Sequence, residues 1–296
     1  MAIFKGLATA LITPFDKNDN IDYKAYEKLI EFQIQNKTDA LVICGTTGEA
    51  ASLTYKERKE SIGFAVKVVA DRIPVIAGAG SNSTALTIEL INDAQKLDIA
   101  GLLLVTPYYN KTTQKGLMAH YAKACNSTDL PVIVYNVPGR TGFNIEPETV
   151  AKLSEIPNIV AIKEASGNIA QAGKLAHICN NIPNFTIYAG NDNEILPMLS
   201  LGAKGIISVL GNIAPKNTHD MVMHFLNGNF DKAKQLQLKA MPLVQALFCE
   251  LSPIPTKYIL NSMGFNVGGC RLPLTDDMDS INIEFINKAI KNYELI

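Results

Sequence analysis

Eight short, continuous apolar runs dominate the pattern of this chain. Successive starts are separated by 33, 33, 28, 30, 28, 26 and 20 residues. Apolar runs that do not alternate with polar residues are typical of strands buried on both faces, as in a parallel sheet. The runs begin near Leu7, Ala40, Ile73, Gly101, Pro131, Ile159, Phe185 and Gly205.

Amphipathic stretches separate the runs, and their apolar residues recur with the period of a helix. Asn82-Ser83 and Asn168 are candidate N-caps for two of these helices. Eight strand–helix units in a chain of 296 residues predict the α/β class and a (β/α)8 TIM barrel. One such apolar face, at spacings i, i+3, i+4 and i+7, contains Ile62, Ala65, Val66 and Val69.

The pattern becomes helical only after Gly211, which predicts a small C-terminal helical extension. We assign residues 1–225 to the barrel and residues 226–296 to the C-terminal helical region. No segment rich in Gly, Ser or Pro separates the two parts. The predicted late helices span residues 214–227, 230–251 and 283–293.

Charge and cysteine content exclude several classes of partner. Lys and Arg number 27 and Asp and Glu number 28, and no basic stripe is present, so we expect neither nucleic acid nor a membrane surface as partner. The apolar run Leu7–Ile12 is too short for a signal peptide or a membrane span. Five dispersed cysteines without paired spacing favour reduced thiols in a cytoplasmic protein.

Lys163 stands alone in an apolar stretch, at the predicted end of the sixth strand. Burial disfavours the charged ammonium and favours the neutral amine, which is a nucleophile. Such an amine can form a Schiff base with a ketone. The alternative is a lysine whose stem lies on the strand while its head group reaches water.

Further reactive side chains follow neighbouring strands, and the carboxyl ends of barrel strands meet at one face. Tyr135, on the strand before Lys163, could exchange the protons that loss of water from a carbinolamine requires. A core tyrosine with a satisfied hydroxyl is the alternative. Thr46 could pass a proton to Tyr135, and the glycines beside the Thr46-Thr47 pair would let backbone N–H groups approach a carboxylate. A simple turn is again the alternative.

Arg140 could bind a carboxylate through its two parallel N–H groups, although a surface ion pair is possible. The four histidines all fall in helical stretches, so we expect no metal. Asp192 and Glu194 follow the seventh strand, where they could bind a cation or stabilise a helix start. No GxGxxG or Walker motif follows a strand, so we expect no nucleotide cofactor.

Three motifs resemble those of the pyruvate-dependent class I aldolase superfamily. They are Gly45-Thr-Thr-Gly-Glu49, Tyr135-Asn-Val-Pro-Gly-Arg140 and Lys163-Glu-Ala-Ser-Gly-Asn168. The resemblance spans essentially the whole chain. It implies a TIM barrel lyase that uses no cofactor other than the covalent imine between Lys163 and pyruvate.

The resemblance also implies catalytic roles for three residues besides Lys163. Tyr135 would shuttle protons and orient the incoming aldehyde. Thr46 would link Tyr135 to Tyr109, and Tyr109 would enter from a neighbouring subunit. A homodimer would then be the smallest active unit, and members of the superfamily are often homotetramers.

Four residues would bind the substrates if the resemblance holds. Thr47 would hold the carboxylate of pyruvate, and Arg140 would bind the carboxylate of the aldehyde substrate. Gly190 and Ile207 would line the pocket through backbone groups.

The paired threonines and Arg140 are most similar to the branch that condenses pyruvate with L-aspartate 4-semialdehyde. Its product is 4-hydroxy-tetrahydrodipicolinate, in the diaminopimelate route to lysine. The alternatives are N-acetylneuraminate lyase, a 2-keto-3-deoxy sugar acid aldolase, and an inactive paralogue. Leu86 and Tyr55 stand where members inhibited by lysine carry glutamate and histidine, so we expect lysine feedback to be weak or absent.

Overall fold

Eight parallel strands close into one barrel in the computed structural model, which describes residues 2–296. Each strand pairs with its neighbours in chain order, and β1 pairs with β8 to close the ring. The predicted (β/α)8 architecture is therefore confirmed. The strands are β1 (Gly6–Ala10), β2 (Ala40–Ile43), β3 (Val75–Gly78), β4 (Gly101–Val105), β5 (Val132–Asn136), β6 (Ile159–Glu164), β7 (Thr186–Ala189) and β8 (Gly205–Ser208).

Twelve helices surround or follow the barrel within the described residues. None of those helices is long and apolar enough to cross a lipid bilayer. The helices are α1 (Tyr23–Gln35), α2 (Tyr55–Val69), α3 (Thr84–Ala94), α4 (Gln114–Cys125), α5 (Pro138–Thr141), α6 (Pro147–Leu153), α7 (Ile169–Cys179), α8 (Ile195–Ser200), α9 (Pro215–Leu226), α10 (Phe230–Leu247), α11 (Ile254–Ser262) and α12 (Ser280–Tyr293).

Local sequence signals account for several helix starts. The side chain of Ser83 accepts a hydrogen bond from the N–H of Leu86 at the start of α3. Asn168 does the same for the N–H of Gln171 at the start of α7, as its N-cap pattern predicts. These bonds satisfy N–H groups that have no partner inside the helix.

The C-terminal region differs in detail from the prediction. The pattern predicts one helix over residues 230–251, but α10 ends at Leu247 and a separate helix, α11, starts at Ile254. Pro253 keeps a helix from continuing through residue 252, because a proline disfavours helical backbone at the residue before it, and α11 begins directly after Pro253. Helix α10 packs against α9 and α12, so this region lies on the barrel. The division of the chain between residues 225 and 226 stays a prediction.

Two apolar layers fill the molecule. An inner cluster fills the barrel, and it includes Ala8, Ala40, Ile133 and Ile207. A larger outer cluster lies between the strands and the helices. At the end of the barrel where β1 begins, the Phe4 ring stacks on Tyr188 with 4.2 Å between ring centroids. The opposite end, formed by the carboxyl ends of the strands, remains open to the site described below.

Closure of the barrel requires glycine at residue 205. A methyl group there would overlap the carbonyl oxygen of Gly6 on the neighbouring strand β1. We expect Gly205→Ala to lower the free energy of unfolding by on the order of 3 kcal/mol, because backbone must move to remove the overlap. Denaturant unfolding followed by circular dichroism measures this change.

Gly173→Ala is the matched control, since nothing lies within 4 Å of the added methyl group on helix α7. The free energy of unfolding of this variant should rise by roughly 0.5–1 kcal/mol, the usual difference between alanine and glycine in a helix. Equal stability of the two variants would contradict the steric argument.

Candidate active site

Lys163 lies on β6 with 5% of its surface exposed. The strand register places it beside Tyr135 on β5 and beside Tyr188 on β7. Its Nζ atom lies 4.3 Å from the centroid of the Tyr135 ring. The alternative of a lysine head group in bulk water is therefore wrong. The structure holds an amine and a phenol side by side inside the barrel.

The turn after β2 carries Thr46 and Thr47. Thr47 is buried, whereas the Thr46 side chain is exposed. The N–H of Glu49 donates to the Thr46 carbonyl at 3.0 Å and closes the turn. The Thr13 hydroxyl donates to the Gly48 carbonyl at 2.7 Å and ties the turn to the end of β1. Among the hydrogen bonds of the described residues, none joins Thr46 to Tyr135.

A cavity of about 610 Å³ opens at the carboxyl ends of the strands. Four of the predicted site residues line it, namely Thr46, Tyr109, Tyr135 and Arg140. The other four, Lys163, Thr47, Gly190 and Ile207, are not among its lining residues. Because Tyr135 contacts both the cavity and the Lys163 amine, it connects the cavity to the barrel interior.

Gly190 and Ile207 occupy the side of the barrel formed by β7 and β8. The N–H of Gly190 donates to the Glu164 carbonyl at 2.8 Å, at the end of β6. A Cβ atom at Gly190 would lie 2.6 Å from the Cβ atom of Ala165, so this close approach requires glycine. Ile207 is fully buried and belongs to the same inner cluster as Tyr135.

Arg140 and Tyr109 lie at the surface of the chain. Arg140 lies on the short helix α5, and its Nη2 donates to the Ser252 carbonyl at 3.4 Å. The alternative interpretation, a surface ion pair, is not supported, because Arg140 is in none of the ion pairs of residues 2–296. Tyr109 is 92% exposed and has a left-handed backbone conformation with φ of 68°. Both side chains can therefore meet a molecule that approaches the cavity from outside.

Asp192 has a role that neither sequence interpretation anticipates. The Ser208 hydroxyl donates to its Oδ1 at 2.5 Å, and the N–H groups of Val209 and Leu210 donate to its Oδ2 at 3.1 and 3.0 Å. Burial raises the pKa of the Asp192 carboxyl, and these donors and the positive charge of Lys163 oppose that shift. The side chain thus joins the ends of β7 and β8.

Across residues 2–296, no three His, Cys, Asp or Glu side chains are grouped to hold a metal ion.

The C-terminal region contributes to the cavity, which the sequence did not predict. Leu251 and Ser252 line it together with residues 271–274. We name residues 269–274 the C-terminal strap. Lys257 on α11 holds the strap, because its Nζ donates to the Gly269 carbonyl at 2.6 Å. No local pattern could reveal these contacts, because the partners are far apart in the chain.

Arg271 fastens the strap to helix α2. Its guanidinium donates to both carboxylate oxygens of Glu57, at 2.5 and 3.0 Å, and to the Ser52 carbonyl at 3.2 Å. It also lies over the Phe15 ring, 4.3 Å from the centroid. The hydrogen bonds from Arg271, together with weaker contributions from the N–H and hydroxyl of Thr54, lower the pKa of Glu57 to about 2 from its ordinary 4.5.

The fold and the site together define a class of protein. A parallel (β/α)8 barrel with one buried lysine beside a tyrosine, at the face where such barrels carry their chemistry, is the arrangement of a class I aldolase, which works through a lysine Schiff base.

Comparisons with known proteins give the family. Residues 3–292 match the model of the Dihydrodipicolinate synthetase family. The chain is 53% identical to the 4-hydroxy-tetrahydrodipicolinate synthase of Caldicellulosiruptor saccharolyticus, over 99% of this chain and 98% of the relative. It is 50% identical to 4-hydroxy-tetrahydrodipicolinate synthase 1 of Clostridium acetobutylicum, over 100% of both chains.

A solved structure agrees with these relatives. The crystal structure of dihydrodipicolinate synthase from Thermotoga maritima superposes with a TM-score of 0.97, at 40% identity and with 100% of both chains covered. The chain belongs to the Dihydrodipicolinate synthetase family. The resemblance of the three motifs to the branch that makes 4-hydroxy-tetrahydrodipicolinate is confirmed.

The Glu57–Arg271 pair gives the protein a specific dependence on pH. Since the folded state holds the pKa of Glu57 at about 2, below its ordinary 4.5, this pair stabilises the fold above pH 4.5 and loses its contribution as pH falls towards 2. Glu57→Gln should therefore be less stable than the unchanged protein at pH 6, by on the order of 2 kcal/mol. The difference should shrink as the pH is lowered through that range.

Denaturant unfolding at several pH values between 2 and 6 measures this difference. Glu60→Gln, on the same helix α2, is the matched control. Its partner Lys56 is 82% exposed, and surface pairs of this kind contribute little. A stability difference for Glu57→Gln that is constant over the whole range would contradict the assigned pairing.

Proposed function

We propose that this chain condenses pyruvate with L-aspartate 4-semialdehyde to give 4-hydroxy-tetrahydrodipicolinate, in the diaminopimelate route to lysine. The observation that carries the proposal is the buried Lys163 amine, 4.3 Å from the Tyr135 ring, beside the cavity. Relatives named for this reaction share about half of their residues with the chain over its full length.

The first step uses Lys163 and Tyr135. The neutral amine attacks the ketone carbon of pyruvate, and the resulting carbinolamine loses water to form an imine. Tyr135 is the group beside the amine that can give and take the protons of this step. Thr46 takes part through Tyr135 and Tyr109, and it lines the same cavity as both tyrosines. No cofactor other than this covalent imine is needed.

Pyruvate is oriented by the turn after β2 and by the β7–β8 side of the barrel. Thr47 holds its carboxylate, and the backbone of that turn supplies further N–H groups. Gly190 and Ile207 line the same region through backbone groups.

The second step joins the two substrates. Loss of a proton from the methyl group of the imine gives an enamine, whose carbon attacks the aldehyde carbon of the semialdehyde. The amino group of that substrate then displaces Lys163 and closes the ring, so each turnover releases one water. Arg140 binds the carboxylate of the semialdehyde, because its exposed guanidinium lines the cavity and can donate two parallel hydrogen bonds.

The active unit is a homodimer at least, and we propose a homotetramer as the full assembly. Tyr109 supports this, since a tyrosine that is 92% exposed at a cavity wall can enter the site of a neighbouring subunit. The five cysteines are unpaired, which favours the cytoplasm as the place of action. Feedback inhibition by lysine stays an expectation of weak or no effect, because Leu86 and Tyr55 offer no carboxylate or imidazole to a lysine.

Substrate preference tests the proposed function. We expect kcat/KM to be higher by orders of magnitude for L-aspartate 4-semialdehyde than for N-acetylmannosamine or glyceraldehyde, with pyruvate in each assay. The reason is that only the semialdehyde presents a carboxylate for Arg140 to bind. Steady-state kinetics with the three aldehydes measure the ratio. A sugar as the best substrate would leave the imine chemistry intact but assign the chain to sugar-acid metabolism.

Lys163→Ala should abolish turnover without changing the fold. The unchanged protein should be labelled by pyruvate at Lys163 when borohydride reduces the imine, and mass spectrometry of the modified peptide measures this. Lys239→Met, which removes a lysine outside the barrel strands that pairs with Glu294, is the control and should still be labelled. Activity in Lys163→Ala would exclude the Schiff-base mechanism.

A mixture of inactive variants tests whether Tyr109 acts in a neighbouring subunit. Tyr109→Ala and Lys163→Ala should each have very low activity. After subunit exchange, a mixed dimer contains one site with an intact lysine and an intact tyrosine from the partner, so activity should return. Assays before and after exchange measure the recovery. No recovery in verified mixed dimers would place Tyr109 in its own subunit's site or outside catalysis.

A further inference from the structure

Glu49 and Lys257 form a buried ion pair beside the candidate active site. Their atoms Oε1 and Nζ are 2.6 Å apart, and their side chains are 2% and 1% exposed. Within residues 2–296, no other ion pair has both side chains so deeply buried. Removing two charges from water offsets most of their attraction, so such a pair is a weak source of stability. A requirement for defined geometry accounts for it better.

Glu49 is the residue that closes the turn carrying Thr46 and Thr47. Its N–H donates to the Thr46 carbonyl at 3.0 Å. Its backbone is left-handed, with φ of 53°, which side chains other than glycine adopt at a cost. Contacts of the Glu49 side chain therefore stabilise the backbone conformation that gives the turn its shape.

Those contacts all come from the C-terminal region. Lys257 contacts Oε1, and the N–H of Arg271 donates to Oε2 at 2.9 Å. Lys257 also binds the Gly269 carbonyl and lies 4.1 Å from the centroid of the Phe15 ring. Oε2 accepts a hydrogen bond, whereas Oε1 meets the Lys257 ammonium without the geometry of a hydrogen bond, and the turn and the C-terminal strap are thus fixed to the same side chain.

We propose that Glu49 and Lys257 are positioning residues, which hold the Thr46–Thr47 turn and the C-terminal strap in the arrangement that binds pyruvate. The inference rests on the proposed function, because it takes Thr47 as the residue that holds the pyruvate carboxylate. The C-terminal region then sets the geometry of the site from a distance, in addition to lining the cavity.

Lys257→Met tests the proposal in the full-length enzyme. We expect KM for pyruvate to rise about tenfold or more, since a small displacement of a binding turn is costly. KM for the semialdehyde should stay within about threefold, because Arg140 lies on another element, and any fall in kcat should be smaller than the rise in KM for pyruvate. Borohydride labelling at saturating pyruvate should remain complete. A residue needed only for stability would not produce this selective rise.

Lys239→Met is the matched control. Lys239, also in the C-terminal region, pairs with Glu294 at 3.0 Å and lies 5.3 Å from the Tyr293 ring centroid, but its side chain is 46% exposed. Its kinetics should equal those of the unchanged protein. Since Lys257→Met leaves a buried carboxylate unpaired, the double variant Glu49→Gln/Lys257→Met serves if the single variant does not fold. The same rise in KM for pyruvate is expected.

Three outcomes overturn the proposal. A folded variant with KM for pyruvate within about twofold of the unchanged protein shows that the pair does not position the turn. A fall in kcat/KM that is equal for pyruvate and for the semialdehyde shows a general structural defect. Failure of both variants to fold makes the pair a folding requirement. The proposed function fails separately, if the unchanged protein itself forms no imine with pyruvate.

Discussion

The register between β5 and β6 is the constraint on which the site depends. Parallel pairing sets Tyr135 opposite Lys163, and the same pairing continues to Tyr188 on β7. A shift by one residue would turn the lysine to the other face of the sheet, among the apolar side chains beneath the helices. Closure of the ring fixes the register everywhere at once, since each strand has two hydrogen-bonded neighbours.

The surroundings of Lys163 differ from those of the side chains at the cavity rim. Lys163 is buried among strands whose inner side chains form one continuous apolar cluster. The ring of Tyr135 lies beside its amine, 4.3 Å from Nζ to the ring centroid. The more adaptable parts, Tyr109 and Arg140, lie at the exposed rim. The chain thus separates a buried lysine from two exposed side chains at the rim of the cavity.

Few charged side chains are buried in the molecule, and most of them connect segments that are distant in the sequence. Asp192 joins the ends of β7 and β8 by accepting three hydrogen bonds. Glu49 and Lys257 connect the turn after β2 with the C-terminal strap. Asp192 accepts hydrogen bonds at both oxygens, and Glu49 has a cation beside one oxygen and an N–H donor at the other, which offsets the cost of burying the two carboxylates. The C-terminal region lines the cavity through residues 251–252 and 271–274, which lie between its helices.

The sequence by itself determined the barrel, because continuous apolar runs at regular spacing have one efficient way to be buried. It also placed Lys163, Tyr135, Thr46 and Arg140 at one face, since parallel strands all end there. Contacts between distant segments were decided only by the tertiary structure. The break between α10 and α11 and the partner of Glu49 are examples. Their physical reason is the same, because such pairings depend on distances in space that no local pattern of residues encodes.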